Sequence, residues 1–395
     1  MIFLGTLFQK DQEQRIISNS SAGVSNAANL FQWRMIEGFV KISKESLSII
    51  NVIPVGCWPR CYRILKLPDA TWKYENTNCL EIGCINLPII KQITRAIKIY
   101  RYLRTHSEEK EIIVFTAYLP FLLAVYHLPR DRNVSIVITD IPEYYDMHKV
   151  SSFRKTLRKL HNKFVYHCLS RVDRFILLTD QMKEPLKVGK RPYLVMEGIC
   201  DVVDKDCFEN EVKDDFVVLY AGRLNRRYGL DLLLDAIDEI GDPNVKLWIC
   251  GSGEMTNEIK ERERNNSSIK FFGFLSHEDV LKIQQQVSML INPRANNEEY
   301  TKYSFPSKTM EYMATGKPVV MYRLDGIPPE YDPYLFYIKE ESAESICQTI
   351  LKIKGMTISE RTQAGEGARN FIKKNKNKDV QMKRVLDFIK LNESK

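Results

Sequence analysis

The sequence has no apolar run that approaches the roughly 18 residues of a membrane-spanning helix. Its first eight residues, 1–8, are apolar but lack the basic start and cleavage site of a signal peptide, so we expect a first buried strand there. We therefore expect a protein that stays in the cytoplasm. With 44% hydrophobic and 27% charged residues, the composition is that of a globular protein, and 395 residues predict two or three domains.

The cysteines show no regular pairing pattern. There are nine, scattered along the chain, and an odd number does not suit a disulfide framework. Cys57, Cys61, Cys79 and Cys84 are closely spaced but lack the Cys-x-x-Cys spacing of a zinc ribbon. We expect free thiols in a reducing compartment and no metal, with a structural zinc site as the weaker alternative.

Short apolar strands alternate with segments of helical composition. This alternation predicts βαβ units and parallel sheets, whose ligands lie beyond the carboxyl ends of the strands. No Gly-x-Gly-x-x-Gly follows any of these strands, which disfavours a nicotinamide enzyme. The predicted strands fall within 112–116, 134–140, 174–179, 216–221, 245–250, 269–273 and 287–293.

The stretch 304–320 predicts a short helix with a proline in its first turn and a Gly-x-Pro stop before the next strand. Lys308 lies near the positive end of this helix, and Glu311 follows one turn later. Free backbone N–H groups at such an end favour an anion, while a carboxylate can accept hydrogen bonds from sugar hydroxyls. The combination indicates a nucleotide site, although an ordinary amphipathic helix would explain this segment taken alone.

Several motifs occur in an order that is typical of one enzyme family. They are Gly222-Arg223-Leu224, 250–254, Phe272-Gly273, 304–318 and 326–331. At these residues the chain resembles the family 4 glycosyltransferases, and it looks closest to the branch that assembles capsules, exopolysaccharides and O-antigens. The resemblance implies an α/β fold called GT-B, in which two Rossmann-like domains enclose a cleft and a C-terminal helix crosses back to the first domain.

The resemblance also implies the domain boundaries. Residues 1–200 would form the acceptor-side domain, and residues 211–375 would bind the nucleotide-sugar. Residues 376–395 would form the returning helix, whose apolar spacing is visible from 380 to 391.

Members of this family retain the anomeric configuration of the sugar and need no metal. Cations on the protein would then stabilise the departing diphosphate, with Arg223 as the first choice and Lys308, Arg226 or Arg227 assisting it. Glu311 is expected to hold the ribose hydroxyls. The other expected donor-binding positions are Gly23, Gly222, Gly251, Gly253 and Phe305.

Two positions depart from the family pattern. The family has two glutamates seven residues apart; the second matches Glu311, but the first falls on Tyr303, and Glu298 or Glu299 could replace it. A phenol is a poor base at neutral pH, so we expect Tyr303 to pack beside the sugar instead. A lysine that usually follows the Gly-Arg-Leu turn is replaced by Tyr228.

Two residues of the first half are also candidates. Asp140 ends a predicted strand where relatives place a His or Asp that touches the reacting sugar, although a turn aspartate has the same appearance. Gly23 lies in a small polar loop at 19–29 that faces the donor phosphates in the family. A loop that merely caps the next helix is the alternative for Gly23.

The charge is unevenly divided along the chain. Residues 1–200 hold 29 basic against 18 acidic residues, a net charge of +11, and the remainder has a net charge of −3. Basic amphipathic helices can lie on anionic bilayers, so we expect attachment to the inner membrane face, with a solvated helix face as the alternative. The excess lies in two predicted helices, 87–106 (Lys91, Arg95, Lys98, Arg101, Arg104) and 152–171 (Arg154, Lys155, Arg158, Lys159, Lys163).

We therefore expect a glycosyltransferase that moves a sugar from a nucleotide-sugar to a lipid-linked or growing glycan acceptor, without a cofactor. A nucleotide-sugar epimerase of similar fold is the main alternative, but no acid/base residues for it can be identified. A nucleic-acid-binding protein would explain the positive charge, yet not the Gly-Arg turn or residues 304–318.

Overall fold

A computed structural model describes residues 1–21, 26–43, 46–142, 152–202, 215–297 and 299–391. The chain divides into two compact units. Unit 1 comprises Met1–Ile199 and Lys378–Lys395, and unit 2 comprises Cys200–Asn377. Each unit contains its own mainly parallel sheet, so the predicted α/β class is confirmed.

Unit 1 is built on an eight-stranded sheet. Its strands and the small pair beside it are β1 (Ile2–Gly5), β2 (Ser48–Asn51), β3 (Lys66–Leu67), β4 (Ala70–Tyr74), β5 (Thr77–Glu81), β6 (Cys84–Ile85), β7 (Glu111–Phe115), β8 (Asn133–Ile138), β9 (Arg174–Leu177) and β10 (Tyr193–Val195). The strand order is β10-β9-β8-β7-β1-β2-β5-β4, and β3 pairs separately with β6. Only β4 with β5 and β3 with β6 are antiparallel within this unit's described residues.

Five helices of unit 1 connect these strands. They are α1 (Lys10–Asn19), α2 (Asn26–Ile42), α3 (Pro88–Thr105), α4 (Leu119–Tyr126) and α5 (Ser152–Leu169). The helix α4 packs against both α3 and α5, so these three helices are neighbours. None of the helices in the described chain is both long enough and apolar enough to cross a bilayer.

Unit 2 is built on a six-stranded parallel sheet. Its strands are β11 (Phe216–Arg223), β12 (Val245–Ser252), β13 (Ile269–Gly273), β14 (Met289–Asn292), β15 (Val319–Tyr322) and β16 (Phe336–Ile338), and its helices are α6 (Leu230–Ile240), α7 (Thr256–Asn265), α8 (His277–Gln286), α9 (Ser307–Ala314), α10 (Ala343–Lys354) and α11 (Ile358–Asn375). The order β13-β12-β11-β14-β15-β16 is that of a Rossmann fold, with its direction reversed between β11 and β14.

The central strands of both sheets are buried, whereas the edge strand β4 is largely exposed. All residues of β1, β7 and β15 are buried, as a parallel sheet between two helical layers requires. Unit 2 also begins and ends at one place, since the backbone N–H of Cys200 donates to the Lys376 carbonyl at 2.8 Å.

The last helix, α12 (Lys378–Leu391), packs in unit 1. Its buried side chains Met382 and Val385 lie in one apolar cluster with Ile36 and Phe39 of α2. An ion pair reinforces the contact, since Lys378 Nζ lies 2.7 Å from a carboxylate oxygen of Glu37. The C-terminal helix therefore belongs to the first unit, as the family resemblance implies.

The cysteines do not form a metal site within the described chain. Cys57, Cys61, Cys79 and Cys84 are free thiols. No group of three or more His, Cys, Asp or Glu side chains suited to a metal occurs among the described residues. The alternative of a structural zinc therefore finds no support there.

The helix α3 faces the opposite way from the prediction. Lys91 and Arg95, which we placed on its basic face, are only 4% and 1% exposed, whereas Ile89 is 74% exposed. The cause lies in a neighbouring loop, because Lys91 Nζ donates to the Val55 carbonyl and Arg95 Nη2 donates to the Ile53 carbonyl. Buried carbonyls need such donors, so the prediction of an exposed basic face is wrong for these two cations.

Lys91 gives the stability of unit 1 a measurable pH dependence. Burial and, to a smaller extent, the neighbouring Arg95 charge together lower the pKa of its ammonium to about 8. Because the unfolded chain keeps this proton up to a pKa of about 10.4, the free energy of unfolding should rise between about pH 8 and 10. Urea unfolding should show the wild type gaining about 2 kcal/mol relative to Lys91→Met between about pH 7 and 9.5.

The matched control is Lys98→Met, which removes a lysine of the same helix whose side chain is 40% exposed. This variant should keep the wild-type rise. Parallel pH profiles for the wild type and Lys91→Met would contradict the prediction.

Candidate functional site

The reversal of strand order places a crevice at the carboxyl edge of the sheet in unit 2. β11 and β14 are paired only at Val218 with Met289 and at Leu219 with Leu290, so the two strands separate beyond these residues. All six strands are parallel, and the loops that follow them therefore lie at this one edge.

Tyr312 of α9 closes the base of this crevice. Beyond its last pair with β14, the backbone of β11 at Ala221 needs other partners. The Tyr312 hydroxyl accepts a hydrogen bond from the Ala221 N–H at 2.9 Å and donates one to the Ala221 carbonyl at 3.0 Å. The side chain is 1% exposed, and burial raises the pKa of its phenol. One hydroxyl thus satisfies both backbone groups and attaches α9 to β11.

Glu311 and Lys308, both predicted site residues, contact each other in α9. Glu311 Oε1 accepts hydrogen bonds from Lys308 Nζ and from Gln284 Nε2, each at 2.8 Å. Burial acts to raise the pKa of Glu311, but the Lys308 charge and these two hydrogen bonds outweigh it, so the pKa lies below its ordinary value. The carboxylate is therefore ionised, and its second oxygen makes no hydrogen bond within the described residues.

Arg223 ends β11 with its side chain in solvent. Its guanidinium group makes no ion pair or hydrogen bond with any residue that the structure describes. Its backbone is nevertheless fixed, because the buried Tyr220 hydroxyl donates to the Arg223 carbonyl at 2.8 Å. The site thus contains an uncompensated cation on an anchored backbone.

Arg226, the second predicted cation of this loop, is already paired. Its guanidinium lies 2.6 Å from a Glu258 carboxylate oxygen and 3.5 Å from one of Asp231. Its backbone N–H donates to Glu254 at 3.2 Å. These contacts close the loop onto the neighbouring helices and leave Arg226 less charge to offer a ligand.

Arg294 is a further cation beside this loop, and we did not predict it. It follows β14, and its guanidinium carbon lies 4.8 Å from the Tyr300 ring centre and 5.8 Å from that of Tyr228. Arg227 lies 5.3 Å from the same Tyr228 ring. A cation thus stands next to Tyr228, the position where the family has a lysine. The Asn-Pro-Arg triplet at 292–294 was the sequence signal for it.

The predicted glycines allow the backbone at the end of β12 to lie in contact with the backbone at the end of β11. Gly251 has a φ of +145°, and a Cβ built on it would lie 1.8 Å from the Gly222 carbonyl oxygen. A Cβ on Gly253 would lie 2.2 Å from the Leu224 carbonyl oxygen. Any side chain at these positions would push the loop after β12 away from the loop that carries Arg223.

Phe274 is a second residue that we did not predict. It follows the last residue of β13, Gly273, and its side chain is 80% exposed at the carboxyl edge of the sheet. The next helix, α8, carries Gln284, which donates to Glu311. Phe274 therefore provides an aromatic surface at the same edge as Glu311. The Phe272-Gly273 motif stops one residue before it.

The remaining predicted positions of unit 2 have mixed surroundings. Phe305 is 6% exposed, and its ring centre lies 5.2 Å from that of Tyr331. Its side chain therefore belongs to the core of unit 2. Glu299 is paired with Lys302 at 3.6 Å in an exposed ion pair. Tyr303 is half-buried, with Lys302 5.1 Å from its ring centre. Glu298 lies outside the described residues.

The two candidates of the first half lie in unit 1. Asp140 follows β8 at the carboxyl edge of that sheet, and its Oδ2 accepts a hydrogen bond from the Thr139 hydroxyl at 3.0 Å. Surrounding protein atoms raise the pKa of Asp140 above its ordinary value, and the hydrogen bond from Thr139 offsets only part of this rise. The residue is nevertheless exposed to water. Gly23 lies outside the described residues.

Residues 203–371, nearly all of unit 2, match the family described as glycosyl transferases group 1. Unit 2 carries a glycosyltransferase domain. A human protein, named as one of the subunits of phosphatidylinositol N-acetylglucosaminyltransferase, is 25% identical over 260 residues, which are 63% of this chain and 51% of that protein. The chain spans about half the length of the curated relatives it matches.

Two solved structures extend the likeness to both units. Sucrose-phosphate synthase from Thermosynechococcus elongatus is 14% identical with a TM-score of 0.63, and 99% of each chain is covered. An Anabaena protein in complex with UDP is 14% identical with a TM-score of 0.62, covering 98% of this chain and 99% of the other. At this identity the likeness shows the fold, and the fold is GT-B.

The glycosyltransferase domain should depend on the Tyr312 hydroxyl for its stability. Tyr312→Phe leaves two buried backbone groups of Ala221 without partners, which should lower the free energy of unfolding by about 2–4 kcal/mol. The measurement is urea unfolding followed by circular dichroism. Tyr337→Phe is the matched control, because among the described residues its hydroxyl bonds only to the exposed Asp332, and it should cost less than about 1 kcal/mol. Equal losses in both variants would contradict the assigned role.

Proposed function

We propose that this protein is a retaining glycosyltransferase that moves a sugar from a nucleotide-sugar to a lipid-linked or growing glycan acceptor. The observation that carries the proposal is that Glu311 and Arg223 both lie on elements at one sheet edge of a unit that matches the group 1 glycosyltransferases. Glu311 is a fixed, ionised acceptor, and Arg223 is a cation without a carboxylate partner in the described chain. A nucleoside diphosphate joined to a sugar needs both kinds of group.

The cations of the site would bind the donor diphosphate. Arg223 meets the phosphates first, and Arg294 and Lys308 add positive charge from the loop after β14 and from the first turn of α9. Fixed cations are worth most where negative charge develops, which here is the diphosphate that leaves the sugar. In this proposal the protein itself supplies that stabilisation, with no metal and no cofactor.

The nucleoside would lie between Glu311 and Phe274. The second oxygen of Glu311 would accept hydrogen bonds from the ribose hydroxyls, while Lys308 and Gln284 hold the first oxygen. Because the pKa of Glu311 lies below its ordinary value, the carboxylate remains an acceptor at neutral and mildly acidic pH. The exposed Phe274 ring would stack on the base. The glycine loops around Gly222 and Gly251 would let the sugar and phosphate approach the backbone.

UDP is the first donor nucleotide to test, because the Anabaena structure of the same fold contains it. The acceptor would be a lipid-linked or growing glycan at a membrane. Two considerations support this: the human relative is named for transfer to phosphatidylinositol, and the motif pattern is closest to the branch that assembles capsules and exopolysaccharides. Asp140 of unit 1 would touch the reacting sugar.

The family match disfavours a nucleotide-sugar epimerase. An epimerase would consume or interconvert the donor without any acceptor, whereas a transferase needs the acceptor for rapid turnover. Following donor consumption with and without a glycan acceptor separates the two activities.

Donor binding should depend on Arg223 and Glu311. Arg223→Ala and Glu311→Gln should each weaken UDP binding by roughly tenfold or more, about 1.4 kcal/mol, because each removes one charged partner. Isothermal titration with UDP measures this, and circular dichroism checks that the variants fold. The same variants should reduce transfer by at least a similar factor.

Two control variants come from the same loops. Arg226→Ala should have a smaller effect than Arg223→Ala, since Glu258 and Asp231 already hold its guanidinium. Tyr303→Phe should keep most activity, because we assign no proton transfer to its phenol. Near-normal UDP binding in both Arg223→Ala and Glu311→Gln would remove these residues from the donor site, and a large loss in Tyr303→Phe would overturn its assigned role.

We place the enzyme on the inner membrane face, in contact through the basic helix α5. This helix exposes Leu157, Leu160 and Phe164, each 52% exposed, and Lys159 and Lys163 are also exposed. Anionic lipid adds about 1 kcal/mol for each nearby Lys or Arg, so a few such contacts give reversible binding.

Charge reversal on α5 tests this placement. Changing Arg154, Lys155, Arg158 and Lys159 to Glu should weaken sedimentation with anionic vesicles at least tenfold, and salt should weaken the wild type in the same way. Binding that is indifferent to lipid charge would favour a soluble acceptor.

A further inference from the structure

The isoleucines of α3 are exposed on one side of the helix. Ile89, Ile93 and Ile97 are 74%, 52% and 45% exposed, and they recur every four residues, so they form a single stripe. Ile90 is 43% exposed beside them. A helix of a globular protein normally turns such a stripe toward the core.

Hydrogen bonds from the cations of α3 hold the stripe outward. Arg95 Nη1 donates to the Tyr118 hydroxyl at 3.0 Å and its Nη2 to the Ile53 carbonyl at 3.2 Å. Lys98 Nζ lies 2.8 Å from Asp69 Oδ1 and 3.2 Å from the Gly83 carbonyl. With Lys91 bound to the Val55 carbonyl as well, α3 cannot rotate its isoleucines inward without leaving several buried carbonyls unpaired.

The loop at 57–67 continues this apolar stripe. The Trp58 N–H donates to the Asn86 carbonyl at 2.8 Å, and the Asn86 N–H donates to the Leu65 carbonyl at 2.7 Å. Asn86 is fully buried and lies two residues before the start of α3, so Trp58 and Leu65 lie next to that helix end. Trp58, Leu65 and Ile85 are 37%, 40% and 46% exposed. Together with the four exposed isoleucines of α3 they form what we call the isoleucine face.

The segments that supply the isoleucine face carry charge of one sign, and the adjoining Asp69 is paired with Lys98. Segments 53–68 and 82–107, which supply all of its residues, contain no Asp or Glu. Arg60, Arg63 and Lys66 are exposed on the loop, and Arg101 and Arg104 are exposed where the stripe of α3 ends. A second copy placed on this face would bring like charges together, whereas an anionic bilayer offers both acyl chains and negative head groups.

We infer that the isoleucine face inserts shallowly into an anionic lipid bilayer. The inference rests on the proposed function for its purpose, which is to bring unit 1 to a lipid-linked acceptor. Trp58 suits the boundary between head groups and acyl chains, because its ring is apolar and its indole N–H is polar. The arginine and lysine side chains can extend from the apolar surface to the phosphates. The contact made by α5 would combine basic and apolar side chains, whereas the contact made by α3 is largely apolar.

Vesicle flotation of the full chain tests this inference. The wild type should float with vesicles of phosphatidylcholine and phosphatidylglycerol and should bind much less to phosphatidylcholine alone. The double variant Ile89→Gln with Ile93→Gln should lower the partition coefficient at least tenfold. Its fold should survive, because both side chains are in solvent.

The matched control changes two exposed apolar residues of unit 2. Ile358 and Leu351 are 75% and 41% exposed, close to the values for Ile89 and Ile93. Their double change to Gln should leave vesicle binding unaltered. A second readout is quenching of tryptophan fluorescence by brominated phosphatidylcholine in anionic vesicles, which should occur in the wild type and be lost in Trp58→Phe.

The outcomes separate this inference from the proposed function. UDP-induced thermal stabilisation is measured for every variant, and it should not change when the isoleucines change. Vesicle binding that depends on the isoleucines, in a chain that binds neither UDP nor the other nucleoside diphosphates, would overturn the proposed function and support the lipid contact. Undiminished vesicle binding by the isoleucine variant, or a dimer that this variant converts to monomer without any vesicle binding, would overturn the lipid contact.

Discussion

A single tyrosine hydroxyl joins the strand that carries Arg223 to the helix that carries Glu311. Parallel strands that diverge at a topological switch point leave backbone groups without a ladder partner. In unit 2 these groups are the N–H and carbonyl of Ala221, and Tyr312 bonds to both. The opening that the sheet topology creates is thereby closed at its base and remains open above, where we propose that the donor binds.

The residues of the proposed donor site are already held in place by the protein itself. Gln284 and Lys308 already fix the Glu311 carboxylate, and Tyr220 fixes the backbone at Arg223. Groups that are held in place lose little conformational entropy when a ligand binds, so more of the interaction energy is available for affinity. The one long side chain of this set that remains unrestrained by the described residues is Arg223, which is the group expected to follow the diphosphate.

The fold of the second half could be predicted because its signals are local. The strands at 216–221, 245–250 and 269–273 are short apolar runs with glycine after them, and the structure places β11, β12 and β13 there. The contacts of Glu311 were less predictable, since Gln284 comes from another helix 27 residues earlier. Arg294 was visible in the Asn-Pro-Arg triplet, but its position beside Tyr228 depends on loop packing that no local pattern encodes.

The orientation of α3 could not be predicted from its own sequence. Periodicity identified the helix, and its charges suggested an exposed basic face. The partners of Lys91 and Arg95 are carbonyls 36 and 42 residues away in the chain, in a loop that itself has no regular structure. Helical periodicity shows which residues share a face, but the rest of the fold decides which face is buried.

Because α12 belongs to unit 1 but follows unit 2 in the chain, unit 2 can be completed on the ribosome before unit 1. Met382, Val385 and Ile389 belong to the apolar cluster of unit 1, yet they are synthesised after the whole of unit 2. Unit 2 has its first and last residues side by side at Cys200 and Lys376, so it can close its own sheet while the nascent chain is still growing. The amino-terminal half, although made first, must keep the surface of α2 uncovered until α12 has been made.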